Sequence, residues 1–319
     1  QRFMIFGFTL VIILFFQAKI QAQTVCQIVP TSQISSIDQA KCLLRQPKIF
    51  GNVGPTLTSL PAPFDQLLTR PTIDISKEQL RRYLQAQGIN EADIGGSLDK
   101  PVSRTNNNNP RAELARYFII HDTSTPNLGN DTFRAELARY FIIHDTSTPN
   151  FVNDPFPNNI NEASWEFNNF NKYGSGDNSP AHIIINQVGQ SVTRKDFNTP
   201  WRSTRRESEQ FCGVNKCKGL FLAVELVQPR RCQPNSGQSQ CSPPRKNDAK
   251  SPDPGFTKAQ LDRLAVVYIA ASVRRGKWLI PAFHVVLDQI VQGGHDDPQN
   301  FNLDQWSKQL NDILTEIRS

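Results

Sequence analysis

Five histidines lie in the 319 residues, and two of them, His121 and His144, are the same residue of a duplicated segment. Each follows Phe-Ile-Ile and precedes Asp-Thr-Ser. The apolar run reads as a buried strand, and the end of a strand is where a rigid scaffold meets solvent and can mount a ligand. His284 follows Ile280-Pro281-Ala282-Phe283, and His295 sits in the turn-rich stretch Gly293-Gly294-His295-Asp296-Asp297-Pro298. A catalytic zinc site uses three nitrogen, oxygen or sulfur ligands and keeps a fourth position open. His144 (or its copy His121), His284 and one aspartate of the loop supply two nitrogens and one oxygen. The same residue types also fit packed, hydrogen-bonded histidines, and no short His-x-x-x-His signature narrows the choice.

Glu225 is the second chemical oddity. It interrupts Gly219-Leu220-Phe221-Leu222-Ala223-Val224-Glu225-Leu226-Val227, which otherwise carries no charge. A carboxylate there is costly to desolvate unless it is paired or faces a cleft. Burial raises its pKa toward the range of a general base. The other reading is an edge strand with Glu225 turned to solvent. His182 has two readings as well, as a groove-lining residue or as one that orients a neighbour.

These residues need a scaffold that gathers them from distant segments. Ala181 to Asn186 is a β-branched run, and Gly189 turns it into a second strand, Gln190 to Arg194. Leu220 to Val227 is apolar almost throughout, as a strand buried on both faces is. Thr257 and Gln260 form a capping box ahead of Leu261, Leu264, Ala265 and Tyr268 at helical spacing, with Gly276 as the stop. A last helix begins after Asn302 and carries Leu303, Trp306, Leu310, Ile313, Leu314 and Ile317 on one stripe. Between Arg230 and Pro254 the Pro, Ser, Gln and Lys-rich composition predicts a long surface loop. Strands interleaved with helices predict an α/β domain with a mixed central β-sheet flanked by helices.

Before it, residues 23–110 read as a small, mostly helical extension and linker. One helix is clear, opened by the Ser76 and Gln79 capping box and stopped by Gly88. Residues 111–133 and 134–156 are a tandem duplication in which seventeen consecutive residues, RAELARYFIIHDTSTPN, repeat unchanged. Two repeats are too few for a solenoid, so Tyr117 to His121 and Tyr140 to His144 compete for one place in the sheet. The domain proper is then 111–319.

At the N-terminus, Arg2 precedes an apolar run from Phe3 to Phe16, and Ala22 supplies a small residue for cleavage, the order of a signal peptide over 1–22. The run is shorter than the ~20 residues of a spanning helix, so no membrane anchor is expected after cleavage. The six cysteines form three close pairs, Cys26 with Cys42, Cys212 with Cys217 and Cys232 with Cys241, which in an exported chain read as disulfides. A formal charge of +6 suits an anionic polymer, whether nucleic acid, acidic lipid or cell wall. Export and disulfides turn the choice away from nucleic acid.

In order, Arg-Tyr-Phe-Ile-Ile-His-Asp-Thr-Ser, Ser179-Pro180-Ala181-His182-Ile183-Ile184-Ile185-Asn186, Ala223-Val224-Glu225-Leu226, the helix opened by Phe256-Thr257-Lys258-Ala259-Gln260-Leu261, His284 and Gly294-His295-Asp296-Asp297-Pro298-Gln299 resemble the zinc-dependent N-acetylmuramoyl-L-alanine amidases. Phage lysozyme-type amidases and peptidoglycan recognition proteins belong to the same group. The resemblance covers roughly residues 114 to 315. It implies Zn2+ held by His144, His284 and Asp297, with His121 as the alternative to His144. It also implies Glu225 as the catalytic glutamate and His295 as an oxyanion stabiliser, where many relatives carry lysine. Trp201-Arg202 replaces the family's Trp-His, and Asp297-Pro298-Gln299 its Asp-Pro-Gly, departures that bear on substrate contacts more than on the metal. The activity implied is cleavage of the amide between N-acetylmuramic acid and L-alanine, by a secreted or periplasmic monomer whose partners are peptidoglycan and muropeptides. A recognition protein that binds the wall without turnover is the alternative.

Overall fold

The computed structural model describes residues 25–28, 34–48, 52–103, 117–118, 140–146, 150–151, 156–201, 203–204, 206–207, 218–232, 249–291 and 294–319. The signal segment 1–22 and His121 lie outside the described residues, as do Cys212, Cys217 and Cys241, and with them the two further bridges expected.

The central sheet collects β1 (Tyr117–Phe118), β2 (Tyr140–Asp145), β4 (Ile183–Ile185), β5 (Ser191–Thr193), β6 (Phe221–Leu226) and β9 (Ile280–Phe283) in the order β1-β9-β2-β6-β4-β5, with β1 also paired to β6. Pairings of β2 with β6 and β9, and of β4 with β6, are parallel, while the hairpin partner β5 runs antiparallel to β4. This is a mixed sheet. A small second sheet joins β3 (Asn150–Phe151), β7 (Arg230–Cys232) and β8 (Ala249–Lys250).

The duplication is written into the sheet. Tyr117 and Tyr140 both pair with Ile280, and Phe118 and Phe141 both pair with Leu222. Identical residues thus take identical partners in identical register, so five strand places serve six strands. Both copies of the repeat are thus placed on the same partner residues of β6 and β9.

All six residues of β6 are buried, as its unbroken apolar run predicts. At the β4–β5 turn, Gly189 has φ +77° and its Cα lies so close to the chain at Ala259 that a Cβ would meet the Ala259 carbonyl oxygen at 2.6 Å. α4 (Lys258–Arg275) starts on the Thr257–Gln260 capping box and ends where Gly276 takes a left-handed conformation. α6 (Leu303–Arg318) buries Trp306, Leu310, Ile313, Leu314 and Ile317 against α4, and Trp306 meets Phe64 and Tyr268 with ring centroids 5.0 and 5.7 Å away. Burying each such side chain contributes about 1.5–3 kcal/mol.

The N-terminal extension holds α1 (Ser36–Leu43), α2 (Phe64–Leu67) and α3 (Lys77–Ala86), more helix than the single segment its sequence announces. α1 is only eight residues long and opens on Ser35, whose hydroxyl accepts from the Asp38 amide. Its Leu43, with Leu80 of α3 and Leu98, joins the same hydrophobic core as the sheet and α4. Cys26 and Cys42 are disulfide-bonded, as expected. No helix among the described residues is long and apolar enough to cross a membrane.

Candidate metal centre

The parallel strands β2, β6 and β9 end at one edge of the sheet, the place where open α/β sheets present ligands. His144 is the penultimate residue of β2. β9 closes at Phe283, and the chain turns directly into a short helix, α5 (His284–Asp288), whose first residue is His284. The loop after α5 returns His295, Asp296 and Asp297 to the same edge, held by a 2.9 Å hydrogen bond from the Val285 amide to the Asp297 carbonyl.

One carboxylate joins the histidines. Asp297 Oδ2 lies 2.6 Å from His144 Nδ1, and Asp297 Oδ1 lies 3.1 Å from His284 Nδ1. The two imidazole centroids are 3.7 Å apart. One ligand atom from each of His144, His284 and Asp297 falls within a 4.8 Å span, and all three residues are buried. Two imidazole nitrogens and a carboxylate oxygen, gathered from three separate segments, form a donor set of the kind that divalent metal ions take. The residues present therefore fit a bound metal ion.

His295 completes the edge of the cluster. Its Nδ1 is 3.6 Å from Asp297 Oδ1, and its ring centroid is 4.6 Å from that of His284. At 8 % exposure it is the least covered of these groups.

On its other side, His284 presents Nε2 to Asp288 Oδ2 at 2.7 Å, one helical turn along α5. Burial works to lower the His284 pKa, but the charges of Asp288 and Asp297 and their hydrogen bonds outweigh it and raise it to about 10. A carboxylate behind a ligating imidazole orients the ring and raises its basicity.

No family model, curated protein or solved structure matches this chain.

Glu225 is 1 % exposed, so the solvent-facing reading does not hold. It stands directly across the β2–β6 ladder from His144, with Ile184 of β4 on its other flank. Partners in register share a face of the sheet, which brings the carboxylate to the level of the histidine. Tyr173 belongs to the same neighbourhood. Burial first, then the Glu225 charge, pushes its hydroxyl well above the usual tyrosine range, with a Thr146 hydrogen bond acting the other way.

Several groups around the site escape a reading of the sequence. Tyr173 lies in an irregular segment of short 3-10 turns, and only the adjacent Phe-Asn-Asn-Phe-Asn-Lys aromatics mark it. Asp288 shares the i, i+4 spacing with His284, a signal that a helix reading would have used. Arg230 falls at the start of the supposed surface loop, yet it is fully buried on β7, and Ala249–Lys250 of the same stretch forms β8. Asp296, equal to Asp297 as a candidate by residue type, turns away from the cluster toward Arg230 and Gln299.

His182 takes no part in the cluster. Its Nδ1 accepts from the Ala223 amide at 3.1 Å, and its Nε2 lies 3.1 Å from the Thr199 carbonyl. An acceptor on one side and a donor on the other define a neutral imidazole, and burial lowers its pKa to about 4. It orients its neighbours. Trp201 is buried likewise, its indole N–H donating to the Ser179 carbonyl at 3.1 Å.

Proposed function

We propose that this chain is an exported zinc hydrolase that cuts the amide between N-acetylmuramic acid and L-alanine in peptidoglycan, on the fold of the N-acetylmuramoyl-L-alanine amidases. The observation that carries the reading is the convergence of His144, His284 and Asp297 within 4.8 Å, with Glu225 in register beside His144. A mixed sheet flanked by helices agrees with that fold, the Cys26–Cys42 disulfide with an oxidising compartment, and the +6 charge with an anionic wall polymer. We take the working unit to be a monomer.

In this reading His144, His284 and Asp297 hold the zinc. When bound, the ion supplies Lewis-acid polarisation of the scissile carbonyl and lowers the pKa of water toward ~7. Glu225 accepts the proton of the attacking water and delivers it to the departing amine of L-alanine. Its buried position keeps bulk water from competing for that proton. His295, at the rim, donates to the oxygen that gathers negative charge as the carbonyl becomes tetrahedral. Asp288 keeps the His284 ring in place throughout.

Digestion of purified peptidoglycan by the mature chain, with and without chelator, tests this. Stem peptides with a free L-alanine N-terminus, absent after chelation, are the expected product. Adhesion to the wall with zinc bound and no peptide release replaces hydrolysis by recognition.

A further inference from the structure

Arg230 is a fully buried guanidinium on β7. Its Nε and Nη2 take the two oxygens of Asp145, at 3.2 and 2.5 Å, and Nη2 also reaches Asp296 at 3.3 Å. Asp145 follows His144 in the chain, and Asp296 precedes Asp297. Gln299 closes the ring, its amide N–H donating to Asp145 at 3.3 Å and its side-chain amide donating to Asp296. Two segments some 150 residues apart in sequence are thereby tied together one position away from each of two candidate metal ligands.

Such a cluster is a weak source of stability. Taking three charges out of water costs several kcal/mol per ion, and well-packed apolar replacements often do as well. Its placement points elsewhere. Alternation along β2 puts Asp145 on the opposite face from His144, so a clamp on Asp145 fixes the strand end without crowding the centre. The fork of Arg230 also sets the orientation of the Asp145 carboxylate, which an ammonium does not.

We infer that Arg230 is a positioning residue for the metal centre, locking the strand end that carries His144 to the loop that carries Asp297. The inference rests on the zinc reading above. Holding ligands in place before the ion arrives lowers the cost of ordering them on binding. The third ligand is held separately, by Asp288 within α5.

The test measures zinc affinity of the full chain by chelator competition, alongside thermal unfolding of the metal-free protein. Two variants are needed, because Arg230→Met alone strands buried carboxylates and is expected to unfold. R230M/D145N removes one cation and one anion together and leaves the net charge unchanged. R230K keeps the charge and loses the fork. Both are expected to unfold cooperatively yet bind zinc about 10–100-fold more weakly, the usual effect of losing a partner behind the ligands. With cobalt in place of zinc, their visible spectra are expected to shift from that of the wild type, since the spectrum follows ligand geometry. Wild-type zinc affinity and an unchanged cobalt spectrum in R230M/D145N overturn the inference alone. If that variant does not fold, the same result in R230K overturns it. A wild-type chain that binds no zinc overturns the zinc reading and the inference with it.

Discussion

Asp297 presents one carboxylate oxygen to His144 at 2.6 Å and the other to His284 at 3.1 Å. A single side chain thus faces two imidazoles that come from the ends of different strands, which makes it the centre of the candidate metal site. Because His284 and Asp297 are not duplicated, no second copy can replace them. His284→Ala and Asp297→Ala are each expected to abolish stoichiometric zinc binding. In wild type, zinc at about 1,000 times its Kd is expected to stabilise the fold by about 4 kcal/mol. Both variants are expected to show no such gain in thermal unfolding with and without the metal.

In the proposed mechanism Glu225 moves a proton and does not hold the metal, and the two roles separate by mutation. Glu225→Gln keeps the size of the side chain and its hydrogen-bonding reach. We expect it to bind zinc as the wild type does while peptidoglycan hydrolysis drops by about 10²–10⁴-fold. Parallel measurement of zinc content and of released muropeptides checks this, and loss of zinc from the variant would move Glu225 into the metal's own ligand set.

Much of this arrangement was legible in the residues, and the reason differs by element. The helices α3, α4 and α6 announce themselves because capping boxes and apolar stripes are local signals. β6 does so because a strand buried on both faces has no polar alternation. His144 and His284 were candidates by residue type and place in the chain, but the choice of Asp297 over Asp296 came only through the order of the motifs, since convergence is a property of the sheet and not of spacing. Arg230 was not reachable. A Pro, Ser and Lys-rich neighbourhood reads as surface, and only the carboxylates waiting in distant segments make burial of that guanidinium tolerable. β9 was missed as a strand because Pro281 interrupts its four residues.

The shared register of Tyr117 and Tyr140 on Ile280 leads to a prediction about the duplication. If β2 fills the place between β6 and β9, the first copy adds nothing the sheet requires. A chain lacking residues 111–133 is expected to fold with an unfolding midpoint within a few degrees of the full chain, and to bind about one zinc per molecule. In that shortened background His144→Ala is expected to remove zinc binding outright. Retained binding there would mean that His144 is not a ligand.

His182 supplies a pH dependence that owes nothing to the metal. Its pKa falls from an ordinary 6.5 to about 4 because burial disfavours the imidazolium, while the Ala223 amide already occupies Nδ1. The unfolded chain therefore binds more protons than the folded one between these two values, and stability rises with pH across that window. The contribution of His182 is complete above about pH 6.5 and is lost as pH falls toward 4, with a ceiling of about 3 kcal/mol at one kcal-scale step per pKa unit. Urea unfolding of the metal-free chain at several pH values checks it. His182→Gln is expected to be less stable at pH 7 but to lose stability less steeply between pH 6.5 and 4 than the wild type. An equal slope in the two proteins would show that His182 is protonated without cost and that its two hydrogen bonds do not fix the neutral ring.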